Sequence, residues 1–210
     1  MAIPINIEDL LNKRKIESNR IEFKKGWNPD KIYRTICAFA NDFDNIGGGY
    51  IVVGIEEEER TGIAKRPVTG VPIEALNDIQ KDMVGYNNKI EPYYMPRIDV
   101  QEVDGKSVLV IWAPAGVNRP YNVRERVTAK QSPSKWYIRS GTSTIEAKGE
   151  VLDELREMAN RTPFDERGNE RIEISDISPA LVLDYLQTVG SRLANDFESK
   201  PFVEILGQMD

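Results

Sequence analysis

The side chains able to do chemistry in this 210-residue chain form a short set, because histidine is absent and Cys37 is the single cysteine. Imidazole acid–base catalysis, Ser–His–Asp and Cys–His nucleophiles, metal sites that use histidine, zinc sites built from thiolates and an intrachain disulfide are therefore excluded. Carboxylates, lysines, tyrosines and hydroxyls remain, with a hard oxygen-liganded cation such as Mg²⁺ or Mn²⁺. Cys37 falls on the apolar stripe of an expected helix and reads as a core thiol.

Positive charge is the second resource. Taken whole, 28 Lys/Arg against 34 Asp/Glu give a net charge of −6, which argues against a nucleic-acid partner. The distribution is uneven. Residues 161–210 hold five basic and ten acidic side chains, whereas Lys106–Lys148 holds eight basic and two acidic, Glu125 and Glu146. Arg119, Arg124, Arg126 and Lys130 lie in Pro114–Ser134, an aperiodic stretch whose length suits a functional or mobile loop. With Lys24, Lys25, Lys135 and Arg139 near a sheet, these cations could track phosphates. Tyr121, Trp136 or Tyr137 could stack on unpaired bases, although Trp136 alternates with Lys135 and Tyr137 and so also reads as core.

The elements that must position these groups are legible in outline. Ile7–Lys15 is an expected short helix, and Arg20–Lys24 alternates as a half-buried strand with Ile21 and Phe23 inward. Asn28-Pro29-Asp30 is a helix start: a capping side chain, proline at the first position, then an acid near the positive end of the dipole. That helix runs to about Asn41, with Ile32, Tyr33, Ile36, Cys37 and Ala40 as its apolar stripe. Gly47-Gly48-Gly49 follows a helix and precedes the strand Tyr50–Ile55, the reverse of a phosphate-cradling order, so it reads as a tight turn and not a P-loop. Glu56–Glu59 reads as a solvated loop. Pro72–Asn87 has helical spacing, and Ile98–Val103 with Ser107–Trp112 around Asp104-Gly105 predicts a β-hairpin. Lys135–Arg139 predicts a further strand, Ala147–Asn160 a helix, Thr162–Ser175 a linker, and Ser178-Pro179 the start of a last helix with Leu181, Leu183, Tyr185, Leu186, Val189 and Leu193 apolar.

These elements define an α+β fold: a mixed or antiparallel sheet with a β-hairpin flanked by helices over residues 1–160, then a linker and C-terminal helical segment over 161–210. No apolar run approaches membrane-spanning length and Met1–Asn12 has no secretory pattern, so a cytoplasmic protein with no membrane partner is expected.

Five segments, in order, resemble the Schlafen-type Alba-like domain. The run Glu17-Ser18-Asn19-Arg20-Ile21-Glu22-Phe23-Lys24 is similar to the family's opening E-S-x-x-x-E-F-K signature. Cys37-Ala38-Phe39-Ala40-Asn41, Gly48–Ile55, Arg119-Pro120-Tyr121 and Tyr137–Thr142 follow in the family's order, over residues from about 8 to 160. Bacterial members are similar to transcriptional regulators, some with a label borrowed from helicases, and typically continue into an ATPase-like or winged-helix region. The resemblance thus implies that 161–210 begins a further domain, while the chain itself shows no helicase motif.

Eukaryotic members imply a second possibility, a metal-dependent endoribonuclease with three acids. Glu17 and Glu22 match two of them. Glu56 stands where active members tend to have Asp, and the zinc element of that group is absent. Alternation aims Glu22 away from Ile21 and Phe23, and Glu56 shares a face with Gly54, so neighbouring strands would let Glu22 and Glu56 converge beneath Glu17 around Mg²⁺ or Mn²⁺. The structural alternative pairs Glu22 with Lys24 or Arg20. The leading expectation is a nucleic-acid-binding domain of a transcriptional regulator, engaging DNA or RNA through its basic loop and sheet face. A three-carboxylate nuclease is second. An oligomerisation module, with the basic loop against a neighbour's acidic tail, is third, and a homo-oligomer is expected.

Overall fold

The computed structural model describes residues 5–11, 18–58, 62–159 and 173–209. It divides into two compact units, Met1–Asn160 and Arg161–Asp210. In the first, α1 (Ile7–Leu11) precedes a 3-10 turn at Ser18–Arg20, β1 (Ile21–Lys24), α2 (Pro29–Asn41) and β2 (Gly49–Val53). Then come α3 (Ile73–Asn87), β3 (Ile90–Glu91), β4 (Arg97–Val103), β5 (Lys106–Ala113), β6 (Asn122–Arg124), β7 (Ser134–Ser140), β8 (Ser143–Glu146) and α4 (Glu150–Met158).

The strands form two four-stranded sheets, ordered β1-β2-β5-β4 and β3-β6-β7-β8. β1 runs parallel to β2, and every other pairing is antiparallel. β2 sits centrally and is buried along its whole length, which is why its sequence is a continuous apolar run and not an alternating one. On one face of the first sheet, Ile51, Val53, Leu109 and Ile111 pack with α2 and α3; on the other, Ile21, Phe23, Tyr50 and Val52 pack with Leu10 and Leu11 of α1.

α2 organises the unit. Asn28 caps it by accepting from the Lys31 amide at 3.1 Å, and the expected stripe of Ile32, Tyr33, Ile36, Cys37 and Ala40 is fully buried. Asn41, also fully buried, ties α2 to the second sheet. Its side-chain amide donates to the carbonyls of Tyr121 (2.9 Å) and Tyr137 (2.8 Å), and its Oδ1 accepts from the Tyr121 amide (2.7 Å). At the helix end Asp42 turns left-handed, and its carboxylate collects the amides of Ile46, Gly47 and Gly48 at 3.0–3.1 Å. Gly48 has φ +77°, and a Cβ there would lie 2.2 Å from the Ala113 carbonyl oxygen. Only glycine fits so close an approach. The triple glycine is a helix-to-strand turn, as its position in the sequence indicates.

Pro114–Ser134 differs from the expected aperiodic loop. It contains β6, paired to both β3 and β7, with Tyr121, Val123 and Val127 buried. A three-residue strand is too short to display alternation in a sequence window. α4 starts at Glu150, three residues after the expected Ala147, because Gly149 takes φ +54° before it.

In the second unit, a 3-10 turn at Ile174–Asp176 leads into α5 (Pro179–Thr188), α6 (Leu193–Asp196) and α7 (Phe202–Leu206). The α5 stripe is not a core stripe: Leu186 is buried while Leu181, Tyr185 and Val189 are exposed. The expected linker lies mostly outside the described residues.

Candidate nucleic-acid interface

A cleft of about 360 Å³ opens between β1, the first turns of α2 and the β7–β8 hairpin. The register explains who faces it. Glu22 and Lys24 lie beside Ile51 and Val53, on the α2 side of the sheet, whereas Ile21 and Phe23 face the opposite core. Because β1 is an edge strand, its polar side chains escape the interior. Lys31 and Arg34 come from the polar side of α2, and Thr142, Ser143 and Thr144 from the hairpin turn; Thr35 and Tyr137 complete the wall.

Arg139 braces this wall from behind. Its side chain is only 5% exposed, and its guanidinium donates to Glu22 Oε2 (2.9 Å), Thr144 Oγ1 (2.9 Å) and the Thr142 carbonyl (2.6 Å). It also stacks over the Phe39 ring, 5.1 Å from the centroid. The other oxygen of Glu22 pairs with Lys24. Thr35 and Thr144 hydroxyls meet at 3.1 Å, joining α2 to the hairpin. Arg34 Nε donates to the Asp30 carbonyl at 3.0 Å, and Asp30 itself accepts from the Thr128 amide and hydroxyl. Burial pushes the Tyr137 phenol up, against the opposing pull of Arg34 and Lys135.

The remaining expected site residues are dispersed. Lys25 is exposed and pairs with Glu56 at 3.3 Å, beyond the end of β2. Arg119 donates to the carbonyls of Asn41 (3.2 Å) and Asp42 (3.0 Å) and to Asn45 Oδ1 (3.1 Å), so it serves the C-terminus of α2. Tyr121 is buried, its ring against Tyr94 and its hydroxyl accepting from the Asn118 amide. Arg124 donates to the Lys130 carbonyl at 3.2 Å. Lys135 bridges Glu125 (2.8 Å) and Glu146 (3.2 Å). Arg126 and Lys130 are exposed. Trp136 is half-buried in the α4 cluster beneath the Arg156 guanidinium.

The acid set does not present a metal-binding arrangement among the described residues. Glu22 and Glu56 hold different cations, Glu17 lies outside the described residues, and no group of three candidate ligands gathers among those described. Cys37 is fully enclosed, donates to the Tyr121 carbonyl at 3.3 Å and has its thiol pushed up to about 12 by burial.

Lys31, Arg34, Thr35, Ser143 and Thr144 were not singled out by sequence reasoning. The available signal was the polar face of α2, with Lys31 and Arg34 one turn apart opposite the apolar stripe. Nothing local indicated that a hairpin more than a hundred residues later would face it.

A two-sheet α+β domain built around one buried helix, with a basic cleft at its edge, is the class these features define. The chain belongs to the Schlafen, AlbA_2 family, whose pattern matches residues 17–148. It is similar to the solution structure of the N-terminal domain of a RecG-related protein from Nitrosomonas europaea, named after ATP-dependent DNA helicases. The identity is 26% over 60% of this chain and 78% of that one, with a TM-score of 0.41. It is also similar to the DIP2311 protein from Corynebacterium diphtheriae, at 21% identity over 84% of this chain but 32% of that one, with a TM-score of 0.47. No curated protein matches the sequence.

Proposed function

We propose that residues 1–160 form a nucleic-acid-binding domain of a transcriptional regulator, which grips DNA or RNA by its phosphates. One observation carries this reading: Lys24, Lys31 and Arg34 converge on one cleft whose lining carboxylate, Glu22, is already held by Lys24 and Arg139. The cleft is therefore electropositive although the chain is acidic overall, and the exposed Arg126 and Lys130 extend the supply of cations. Family membership supports the same reading. Among the described residues no helix is long and apolar enough to cross a membrane.

Fluorescence anisotropy of the full chain with labelled single- and double-stranded DNA and RNA tests it. Binding at low salt, falling steeply as salt rises and weakened by Lys31→Gln with Arg34→Gln, is the expected outcome. Absence of binding to every polynucleotide at low salt overturns it and favours the homo-oligomerisation module.

A second reading, the endoribonuclease using Glu17, Glu22 and Glu56, draws support from the place of Glu22 on the cleft wall. Cleavage of RNA with Mn²⁺ by the wild type and its loss in Glu22→Gln is the result expected of that reading. Equal cleavage by both proteins, or none by either, removes it.

A further inference from the structure

We infer that the cleft between β1, α2 and the β7–β8 hairpin is a receptor for a phosphate monoester: the terminal phosphate of a nucleic acid, or the phosphate of a free nucleotide. The inference deepens the nucleic-acid reading by naming what the cleft selects, and its free-nucleotide form does not require that reading.

Charge is the first argument. Around the cleft stand four cations, Lys24, Lys31, Arg34 and Arg139, and one carboxylate, Glu22. Asp30, the acid on the same turn of α2, accepts from Thr128 and does not line the cleft. A phosphate monoester carries close to two negative charges at neutral pH, because its second proton leaves near pH 6, whereas each internal diester carries one. The surplus suits a dianion.

Donor geometry is the second. Glu22 occupies Lys24 and one side of Arg139, and the Thr35 and Thr144 hydroxyls occupy each other. That leaves Lys31 Nζ, the terminal nitrogens of Arg34 and the hydroxyls of Thr142 and Ser143 without a partner among the described residues. These groups come from two elements facing across the cleft. A terminal phosphate offers three oxygens to such a ring of donors; a diester offers two and must continue out of both ends.

Size is the third. A cavity of about 360 Å³ lies within the range that encloses one small ligand, at its lower end. An open cleft of that volume has room for one nucleotide.

Titration calorimetry of the full chain at near-physiological salt tests this. The ligands are one oligonucleotide sequence with a 5′-phosphate, a 3′-phosphate or hydroxyls at both ends, together with a nucleoside monophosphate and its nucleoside. A terminal phosphate is expected to tighten binding by about tenfold, the scale of one added charge-assisted contact. That ratio should fall toward one in Lys31→Gln and in Ser143→Ala, both exposed side chains whose loss leaves the core untouched. In Lys130→Gln the affinities for both ends should fall together and the ratio persist. Binding of oligonucleotides with no preference for a phosphorylated end overturns the inference and leaves the nucleic-acid reading standing. Binding of the monophosphate over the nucleoside, with no oligonucleotide bound, supports the inference for a free nucleotide and overturns the nucleic-acid reading. Binding of none of these ligands overturns both.

Discussion

At the residue scale, Asn41 and Arg119 show how far a polar side chain in this fold can be from the function its type suggests. Asn41 satisfies three backbone groups at once, two carbonyls and one amide, in a site with no access to water. Asn41→Leu leaves the Tyr121 amide and the Tyr137 carbonyl without this partner and the Tyr121 carbonyl with only the weak Cys37 thiol, and is expected to destabilise the protein by on the order of 3 kcal/mol, read from the denaturant midpoint. An unchanged midpoint would show that the neighbouring strands find other partners. Arg119 belongs to the basic stretch, yet it donates to the last carbonyls of α2. Arg119→Ala should therefore lower stability by about 1 kcal/mol, the usual scale of a helix-terminal contact. Arg126→Gln, an exposed cation, should leave stability within about 0.5 kcal/mol of wild type. A phosphate-binding role confined to Arg119 would reverse that order, with affinity lost and the midpoint kept. Cys37 supplies a third check at this scale: with its thiol pushed up to about 12, it stays protonated and enclosed. Reaction with a disulfide reagent at pH 8 should then follow unfolding, and rapid labelling of the native protein would contradict the buried placement.

At the element scale, the second sheet is laced by charges that belong to three different strands or their ends. Lys135 on β7 bridges Glu125, just after β6, and Glu146 on β8, and Lys148 adds a second ammonium to Glu146 at 3.1 Å. The Lys135 hydrogen bond and charge hold Glu125 below its ordinary value. Burial raises Glu146, but Lys148 and Lys135 together outweigh it and the net shift is downward. Lys135 moves up, chiefly through Glu125 and then Glu146. Depressed carboxylates contribute stability that is complete above their unfolded value near 4.5 and is lost as pH falls through the depressed ones. The raised lysine contributes below its unfolded 10.5, and that contribution is lost as pH rises through its raised value. Lys135→Met should flatten the fall of the melting temperature below about pH 4.5; identical acid limbs in the two proteins would show that the network contributes nothing. The same elements mark what a sequence can reveal. α2 was legible because its cap, proline and stripe are local, and the β4–β5 hairpin because its turn chemistry sits between two alternating runs. β6 was not, since its partners β3 and β7 supply the order that its three residues lack. The cleft was half legible for the same reason: Glu22, Lys24 and Arg139 lie within recognisable segments, whereas Lys31, Arg34 and Ser143 gain meaning only when α2 and the hairpin meet.

At the scale of the whole molecule, net charge is a poor guide to partner because the two signs are segregated along the chain. Residues 161–210 carry ten acids against five bases, while Lys106–Lys148 carries eight bases against two acids. Pairing divides the bases further. Arg119 and Arg124 serve backbone carbonyls and Lys135 serves two carboxylates, whereas Arg126 and Lys130 are exposed at the surface. A polynucleotide bound to this unit would release counterions in proportion to the phosphates that such exposed cations neutralise, by roughly 0.9 in the logarithmic salt slope for each contact on duplex DNA. The double variant Arg126→Gln with Lys130→Gln should therefore bind more weakly on every sequence and show a slope shallower by about two. Lys135→Met, although it removes one positive charge from the same stretch, should change the slope by much less, because its ammonium is already committed to Glu125 and Glu146. Affinities for duplex DNA measured by anisotropy at several salt concentrations separate the two cases. A double variant with the wild-type slope would move the phosphate contacts away from the basic stretch, leaving the cleft of Lys24, Lys31 and Arg34 to carry them alone.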